Sequence, residues 1–392
     1  MISYLSASYV YPITSAPLKD GVVGVTEDGK ITAIYTAEEA AAHRIQDITY
    51  YDGILVPGFI NAHCHLELSH MRSKIHGKKG LVDFVQQVMK TRSADDYTIA
   101  VEMLRADVEM LEDGIVAVGD ISNQAISTTI KRSSPIYYHT FLEVMGFNPE
   151  TAELSMQRAL EFEEKFNELP LSIVPHAPYS VSSPLFDALK KNAIAKATLL
   201  TIHNQEGADE NAFFESKTGK FLELYEFLGL NIDFYQPSGK TSLQSYLPWL
   251  PTGNRVQLVH NTFTTIADVE FAENVHPDLY WCVCPAANLY IEGRLPDVEM
   301  LKNSGVKITI GTDSLASNDR LSIFAEMKIL QENFDLSVTD LLTWATINGA
   351  EFLGIEDRFG SLEVGKQPGI NLLSYEEEQG KLSLGRINRR LF

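Results

Sequence analysis

Cysteine is scarce in this chain of 392 residues, which has three: Cys64, Cys282 and Cys284. Three is an odd number, and Cys282 and Cys284 are too close along an extended strand to bridge each other easily. The sequence therefore argues against a disulfide-stabilised fold and indicates a reducing compartment. Two thiols without a second pair do not complete a cysteine metal site either, so we interpret them as packing residues.

Basic residues are also few, and long apolar runs are lacking. Against 52 Asp and Glu residues there are 32 Lys and Arg residues, which gives a formal net charge of −20. Nucleic acid and anionic membrane surfaces are therefore unfavourable partners. No apolar run approaches the ~20 residues of a membrane span, and the first residues lack the basic region and apolar core of a signal peptide. We expect a soluble, cytoplasmic protein.

Both ends of the chain are rich in short strand and turn patterns. Asp28-Gly29 is a hairpin turn signal between two apolar runs. After residue 355 the chain returns to turns and short strands, predicted at Ile370–Leu373 and Lys381–Leu384. We therefore predict that residues 1–55 and 356–392 pair into one small composite β-sandwich domain.

Between these ends, short apolar strands alternate with amphipathic helical segments. Eight such units predict an α/β fold, a closed (β/α)8 or TIM barrel over residues 56–355. An open doubly wound sheet has the same periodicity and is the alternative. The predicted strands are Ile54–Ala62, Ile115–Gly119, Ile136–Val144, Leu171–Val174, Thr198–His203, Val256–His260, Tyr280–Cys284 and Lys307–Gly311. The predicted helices are Leu81–Thr91, Tyr97–Glu112, Thr151–Glu168, Ser183–Ala195, Asn211–Leu228, Thr265–Asn274, Asp297–Asn303 and Leu321–Glu332.

Two histidines, His63 and His65, end the first predicted barrel strand. Side chains two apart in an extended strand point to the same side, so both imidazoles project together. Two imidazoles on a rigid strand end can supply the first two ligands of a divalent metal. A His-x-His pair alone is a weak indication, and its meaning depends on whether other strands supply the remaining ligands.

Further candidate ligands and proton carriers each follow a later predicted strand: His176, His203 with Glu206, His260 and Asp313. The carboxyl ends of barrel strands form one rim, so we expect these side chains to lie together. Each has a structural alternative, such as a core histidine, a helix cap or a solvated charge, but jointly they favour a metal-dependent active site. Three histidines and an aspartate suit zinc, with iron(II) as the alternative.

Together these residues resemble the amidohydrolase superfamily. The resemblance rests on Pro57 to His65, on His203 with Glu206, on His260 and on Gly311 to Ser314. Binuclear members of the superfamily carry a bridging lysine after the fourth strand, where this chain has Pro175-His176-Ala177-Pro178. The sequence is therefore more similar to the mononuclear deaminase branch. Cys284-Pro285-Ala286-Ala287-Asn288-Leu289 also resembles a deaminase segment, with Ala287 in place of a serine.

The resemblance implies a set of roles and a reaction. One divalent metal would be held by His63, His65, His203 and Asp313. Glu206 would pass a proton to a ring nitrogen, His260 would orient the attacking water, and Asp313 would also act as a base. The implied reaction is hydrolytic deamination of an amino-substituted heterocycle, a small-molecule substrate. The resemblance does not define the oligomeric state, and a homodimer is one alternative.

The extended motif from His63 to His70, followed by Gly80 to Phe84, is similar to aminodeoxyfutalosine deaminases. These enzymes convert 6-amino-6-deoxyfutalosine to futalosine and ammonia in menaquinone biosynthesis. The resemblance implies that Glu67 and Glu143 hold sugar hydroxyls and that Arg72 pairs with the substrate carboxylate. A surface salt bridge is the alternative for Glu67 and Arg72. The remaining expected substrate contacts are His176, Asn288 and Ser314.

Other substrates and classes stay open. Within the deaminases, adenosine, methylthioadenosine, adenosylhomocysteine and guanine are alternatives. A chlorohydrolase of the triazine type would keep the metal and release chloride. A non-catalytic binding protein would lack a ligand or the proton carrier, whereas this chain has all of them.

Overall fold

The computed structural model describes residues 1–167 and 169–392. Its strands within these residues, numbered along the chain, are β1 (Ile2–Val10), β2 (Leu18–Lys19), β3 (Val22–Thr26), β4 (Ile31–Tyr35), β5 (Ile48–Pro57), β6 (Phe59–Cys64), β7 (Ile115–Ser122), β8 (Tyr137–Val144), β9 (Leu171–Pro175), β10 (Leu200–Asn204), β11 (Val256–His260), β12 (Leu279–Val283), β13 (Lys307–Ile310), β14 (Ile370–Glu378) and β15 (Lys381–Arg390).

The two chain ends share one sheet. Its strand order is β15-β14-β5-β1-β3-β4, and β2 pairs with β1. The connection between the ends is the antiparallel pair of β14 with β5, in which Ile370 lies opposite Pro57. Leu5, Val23 and Ile31 are buried together on this sheet. The prediction of a β unit built from both ends is confirmed, while the exact boundaries at residues 55 and 356 stay a prediction.

Strands β6 to β13 form the predicted barrel. Neighbours pair in parallel in two sets of four, β6-β7-β8-β9 and β10-β11-β12-β13. Backbone contacts join the sets at both seams: the His203 N–H donates to the His176 carbonyl at 3.0 Å, and the Thr312 N–H donates to the His63 carbonyl at 2.9 Å. Gly311 permits the second seam, because a Cβ there would lie 2.8 Å from the Cβ of His63. The (β/α)8 architecture is confirmed.

The helices within the described residues are α1 (Ala37–Ala42), α2 (Leu81–Thr91), α3 (Asp96–Glu112), α4 (Thr128–Ser133), α5 (Ala152–Glu163), α6 (Ser183–Lys196), α7 (Ala208–Ser216), α8 (Phe221–Phe227), α9 (Ser242–Tyr246), α10 (Ile266–Val275), α11 (Pro285–Ile291), α12 (Val298–Asn303), α13 (Ile323–Asn333), α14 (Val338–Ala345) and α15 (Ile347–Leu353). None of them is both long and apolar enough to cross a bilayer.

Two predicted helices differ from the structure. The third was expected to reach Glu168, which lies outside the described residues, whereas α5 ends at Glu163. The fifth was expected to be continuous but divides into α7 and α8. Lys217 and Gly219 between them both have positive φ, 54° and 90°. A positive φ at the end of a helix stops it, because the backbone can no longer continue the right-handed turn.

A buried ion pair supports the loop that follows the first barrel strand. Lys131 Nζ lies 2.6 Å from Asp120 Oδ2, and neither side chain is exposed to solvent. The ammonium also donates to the hydroxyls of Ser122 at 2.9 Å and Thr140 at 3.0 Å. The other carboxylate oxygen of Asp120 accepts the N–H of Leu66 at 2.8 Å. The pair thereby fixes the backbone directly after His65.

We expect Lys131→Met to destabilise the fold by about 3–5 kcal/mol, because it leaves the Asp120 carboxylate buried without its counter-charge. Urea unfolding followed by circular dichroism measures this free energy. Lys191→Met is the matched control, since Lys191 pairs with Asp187 in solvent at 3.7 Å and its loss should be hardly measurable. Equal stability of the two variants would contradict this role for the buried pair.

Candidate active site

Four histidines and one aspartate converge at the carboxyl ends of the barrel strands. The Nε2 atom of His65 lies 3.1 Å from Nε2 of His63 and 3.3 Å from Nε2 of His203. Asp313 Oδ1 lies 3.6 Å from the same atom of His63 and 3.3 Å from that of His65. His260 joins them, since His63, His203, His260 and Asp313 each offer a ligand atom within 4.8 Å of the others.

The donors of this cluster fit a divalent metal. His203 Nδ1 lies 2.8 Å from the His176 carbonyl oxygen, which can only accept a hydrogen bond. Nδ1 therefore carries the hydrogen, and Nε2 directs its lone pair at the cluster. Several imidazole lone pairs and a carboxylate oxygen that face one another need a positive charge between them. Three nitrogens and one oxygen, from His63, His65, His203 and Asp313, are a donor set of the zinc type.

The electrostatics of the cluster suit the same interpretation. Burial lowers the pKa of His203 to about 4 and holds the pKa values of His65 and His260 well below their usual range. These imidazoles are therefore neutral at pH 7, as metal ligands must be. Burial opposes ionisation of Asp313, but the hydrogen bond with His63 and the nearby imidazoles of His65 and His260 outweigh it and keep the pKa of Asp313 well below normal. Asp313 is a carboxylate.

Backbone strain is concentrated at these strand ends. Gln205, His260, Asn261 and Asp313 have positive φ angles of 45°, 77°, 57° and 56°. Residues other than glycine rarely adopt this region, and they persist there when the surroundings hold them. The Asn261 amide does so by donating to two backbone carbonyls at 2.9 Å and accepting from Asn204 at 3.0 Å. These bonds help to aim the side chains of His260 and Asp313 into the rim.

Glu206 is placed beside the cluster as a carrier of a proton. Its Oε1 lies 3.6 Å from Nε2 of His260, and the side chain is buried. The Glu210 carboxylate fixes the loop by accepting the N–H groups of Gln205 at 3.0 Å and Glu206 at 3.2 Å. Burial, followed by the negative charges of Asp313 and Glu210, raises the pKa of Glu206 well above normal. The raised pKa suits Glu206 to the transfer of a proton.

A cavity opens above the cluster. One wall is apolar and is formed by Leu68 and five residues of α2: Leu81, Phe84, Val85, Val88 and Met89. Polar side chains on the other side are Asn123, Glu143, His176 and Ser314. Asn123 donates to Glu143 at 3.2 Å, and His176 Nδ1 lies 2.8 Å from the Ser180 hydroxyl. A flat heterocycle could therefore rest on apolar surface with its polar edge toward the cluster.

Three expected substrate-binding residues lie elsewhere, and we correct their placement. The buried Glu67 carboxylate accepts the N–H groups of Asn123 at 2.9 Å and Gln124 at 3.0 Å, so it shapes the loop after β7. Arg72 is on the surface, where it forms an ion pair with Glu109. This is the surface salt bridge given in the sequence analysis as the alternative to substrate binding by Arg72.

Asn288 is the third of these residues. Its side-chain amide is buried and donates to the Thr262 hydroxyl at 2.6 Å. The amide therefore connects the loops after β11 and β12 and supports the wall of the barrel. It does so instead of lining the cavity, whereas the expected contacts Glu143, His176 and Ser314 do line it.

The roles of α2 and of Arg92 were not predicted from the sequence. Leu81, Phe84, Val85, Val88 and Arg92 follow the spacing i, i+3, i+4, i+7, i+11, which puts them on one side of a helix. The stripe was visible as an amphipathic helix. The surface that this stripe faces could not be predicted, because an apolar stripe packed on a barrel and one that lines a cavity have the same sequence pattern.

The barrel and the mixed histidine and carboxylate cluster at its rim define a class of metal-dependent hydrolases. Comparison with known proteins then gives the family. The family model for amidohydrolases matches residues 54–387, and the chain belongs to the amidohydrolase family. The expectation of a hydrolytic enzyme of this family is confirmed.

Similar proteins agree with this assignment. An adenosine deaminase of Helicobacter pylori is 25% identical over 374 residues, covering 91% of this chain and 88% of the relative. A 5-methylthioadenosine/S-adenosylhomocysteine deaminase of Bacillus cereus is 27% identical over 374 residues, covering 87% and 78%. The crystal structure of Helicobacter pylori aminofutalosine deaminase in complex with methylthio-coformycin has a TM-score of 0.80 at 23% identity, covering 96% and 93%. The last likeness shows the fold.

We expect His203→Ala to lose most of its bound metal, because it removes a nitrogen that faces both His63 and His65. Metal content after zinc loading and dialysis, measured by plasma mass spectrometry, tests this. His43→Ala is the control, since His43 is exposed on the composite domain and the variant should keep the wild-type content. Full occupancy in His203→Ala would remove this residue from the proposed ligand set.

Proposed function

We propose that this protein hydrolytically deaminates an aminopurine nucleoside and releases ammonia. One observation carries the proposal: a buried carboxyl of raised pKa, Glu206, lies beside the histidine and aspartate cluster at the floor of a cavity with an apolar wall. Hydrolysis of an amidine needs a nucleophile at neutral pH and an acid for the ring nitrogen, and the cavity offers groups for both. The curated relatives described above are nucleoside deaminases.

The residues proposed to hold the metal are His63, His65, His203 and Asp313. Zinc suits their nitrogen and oxygen donors, with iron(II) as the alternative. A divalent ion held there would make water more acidic and supply positive charge to the site.

The chain's own groups then divide the proton transfers. His260 orients the attacking water and Asp313 accepts its proton, since both face the point where the donors meet. Glu206 gives its proton to the ring nitrogen next to the amino-bearing carbon, which becomes tetrahedral as the water oxygen adds. The proton held by Asp313 then passes to the amino group, which leaves as ammonia as its C–N bond breaks, while the hydroxyl proton of the intermediate returns to Glu206 and the carbonyl forms. The hydroxyl of Ser317 donates to Asp313 Oδ2 and keeps this carboxylate oriented.

Within this class, 6-amino-6-deoxyfutalosine is the substrate we propose, which would place the enzyme in menaquinone biosynthesis. Support comes from the motif between His63 and Phe84 and from the fold-level likeness to an aminofutalosine deaminase. In this assignment Glu143, held by Asn123, contacts the sugar, His176 contacts the base, and Ser314 contributes a hydroxyl at the rim. Apolar residues of α2 are suited to an aromatic group at the far end of the substrate.

A screen of ammonia release by the metal-loaded protein tests the assignment. The substrates are aminodeoxyfutalosine, adenosine, methylthioadenosine, adenosylhomocysteine and guanine, with a chloro-triazine monitored for chloride. We expect the highest kcat/KM for aminodeoxyfutalosine. Preference for another nucleoside would keep the class and change the substrate, whereas chloride release without ammonia would overturn the proposal.

The proton transfer by Glu206 gives a second test. We expect Glu206→Gln to keep its metal and to lose turnover by roughly 10²–10⁴-fold, the usual contribution of a general acid. Glu215→Gln is the matched control, because Glu215 is exposed on α7 and should not affect kcat. Deamination by Glu206→Gln near the wild-type rate would show that another group carries the proton.

A further inference from the structure

Arg92 is the one lysine or arginine side chain among the described residues that line the cavity. It directly follows α2, whose apolar residues form one wall, and it faces the same space as Asn123, Glu143 and Met145. The acidic lining groups are the carboxyls of Glu143, Glu206 and Asp313. A guanidinium is costly to desolvate, so its placement in a ligand cavity calls for an anionic partner.

The backbone of Arg92 is held in place, while its side chain is free to bind. The Arg92 N–H donates to the Val88 carbonyl at 2.8 Å, and His70 Nε2 lies 2.9 Å from the Arg92 carbonyl. His70 belongs to the turn that follows the histidine pair, Leu66–Met71. The backbone of Arg92 is thereby held at a fixed position relative to His63 and His65. A residue that determines substrate specificity needs such a fixed position.

The guanidinium of Arg92 forms no ion pair within 4.0 Å among residues 1–167 and 169–392. Three other arginines do form ion pairs: Arg72 with Glu109, Arg105 with Glu102, and Arg255 with Asp278. Those pairs lie on the surface. Arg92 is half-buried and lacks such a partner, so its donors remain for a ligand.

Helix α2 also separates the end of the cavity near Glu206 from the guanidinium of Arg92. The helix has eleven residues and is about 16 Å long at 1.5 Å per residue. Its first residue, Leu81, donates its N–H to Glu292, and the same Glu292 carboxylate lies beside Gly207, which follows Glu206. Apolar side chains of α2 lie between that end and Arg92. A ligand that reached both ends would be a heterocycle, then an apolar spacer, then an anion.

We propose that Arg92 binds a carboxylate at the end of the substrate remote from the amino group, and that it selects carboxylate-bearing nucleosides over neutral ones. Arg72, expected from the sequence in this role, is replaced by a residue twenty positions further along the chain. The inference rests on the proposed deaminase function and assigns its specificity. Bidentate pairing of guanidinium with carboxylate supplies both affinity and orientation.

The test uses pairs of substrates that differ only in charge. Metal-loaded wild-type enzyme, Arg92→Leu, Arg92→Lys and Arg72→Leu are assayed with a 5′-thioadenosine carrying a benzoate and with its benzamide counterpart. Adenosine 5′-monophosphate is the third substrate, because phosphate is the other common anion. The measured quantity is the ratio of kcat/KM for benzoate to that for benzamide, with titration calorimetry of the matching hypoxanthine products as a binding readout.

We expect the wild-type ratio to be on the order of 10–100, as a charge-assisted hydrogen bond gives. The ratio should fall toward one in Arg92→Leu through a higher KM for the benzoate, and Arg92→Lys should keep part of it. Arg72→Leu should retain the wild-type ratio. The benzoate product should bind more weakly to Arg92→Leu than to wild type, with the benzamide product as reference.

Several outcomes would overturn the inference. A wild-type ratio near one, a ratio unchanged in Arg92→Leu, or a loss in Arg72→Leu instead would each remove Arg92 from this role. Preference for the monophosphate over the benzoate would mean that the anion is a phosphate. These failures differ from failure of the deaminase proposal, in which none of the nucleosides would release ammonia. Circular dichroism of Arg92→Leu excludes misfolding as the cause.

Discussion

The distance between the first and last barrel strands is the constraint on which the site depends. The N–H groups of Thr312 and Asp313 both donate to the His63 carbonyl, at 2.9 and 3.1 Å. The same seam brings Asp313 Oδ1 next to the imidazoles of His63 and His65. Closing the barrel and assembling the cluster are therefore one event. A side chain at Gly311 would force the two strands apart and separate the ligands.

Much of the fold could be predicted from the sequence because its signals are local. Alternating apolar strands and amphipathic helices indicated eight units, and polar residues after the strands indicated which end carries the site. The rim positions of His63, His65, His203, His260 and Asp313 followed from barrel geometry alone. The division of α7 from α8 was not predictable, since Lys217 has no preference for the positive φ that it adopts.

The residues that the sequence placed wrongly show where such reasoning stops. Glu67, Arg72 and Asn288 all have the chemistry of substrate contacts, but each is satisfied by a neighbour: backbone N–H groups, Glu109 and Thr262 respectively. Whether a polar group is already paired depends on residues far away in the chain. Arg92 is the converse case. Its positive charge is evident from the sequence, but only the structure shows that it lines the cavity without an ion-pair partner among the described residues.

The pairing of β14 with β5 has a consequence for how the protein is made. β5 leads directly into the strand that carries the first two histidines, yet its partner strand β14 comes only after the whole barrel in the sequence. Until then one hydrogen-bonding edge of β5 is bare, and bare strand edges recruit other chains. Contacts of such long sequence separation also form slowly. A chain that stopped before β14 would contain the barrel strands but leave one edge of β5 unpaired. Such truncated chains should therefore be bound by chaperones.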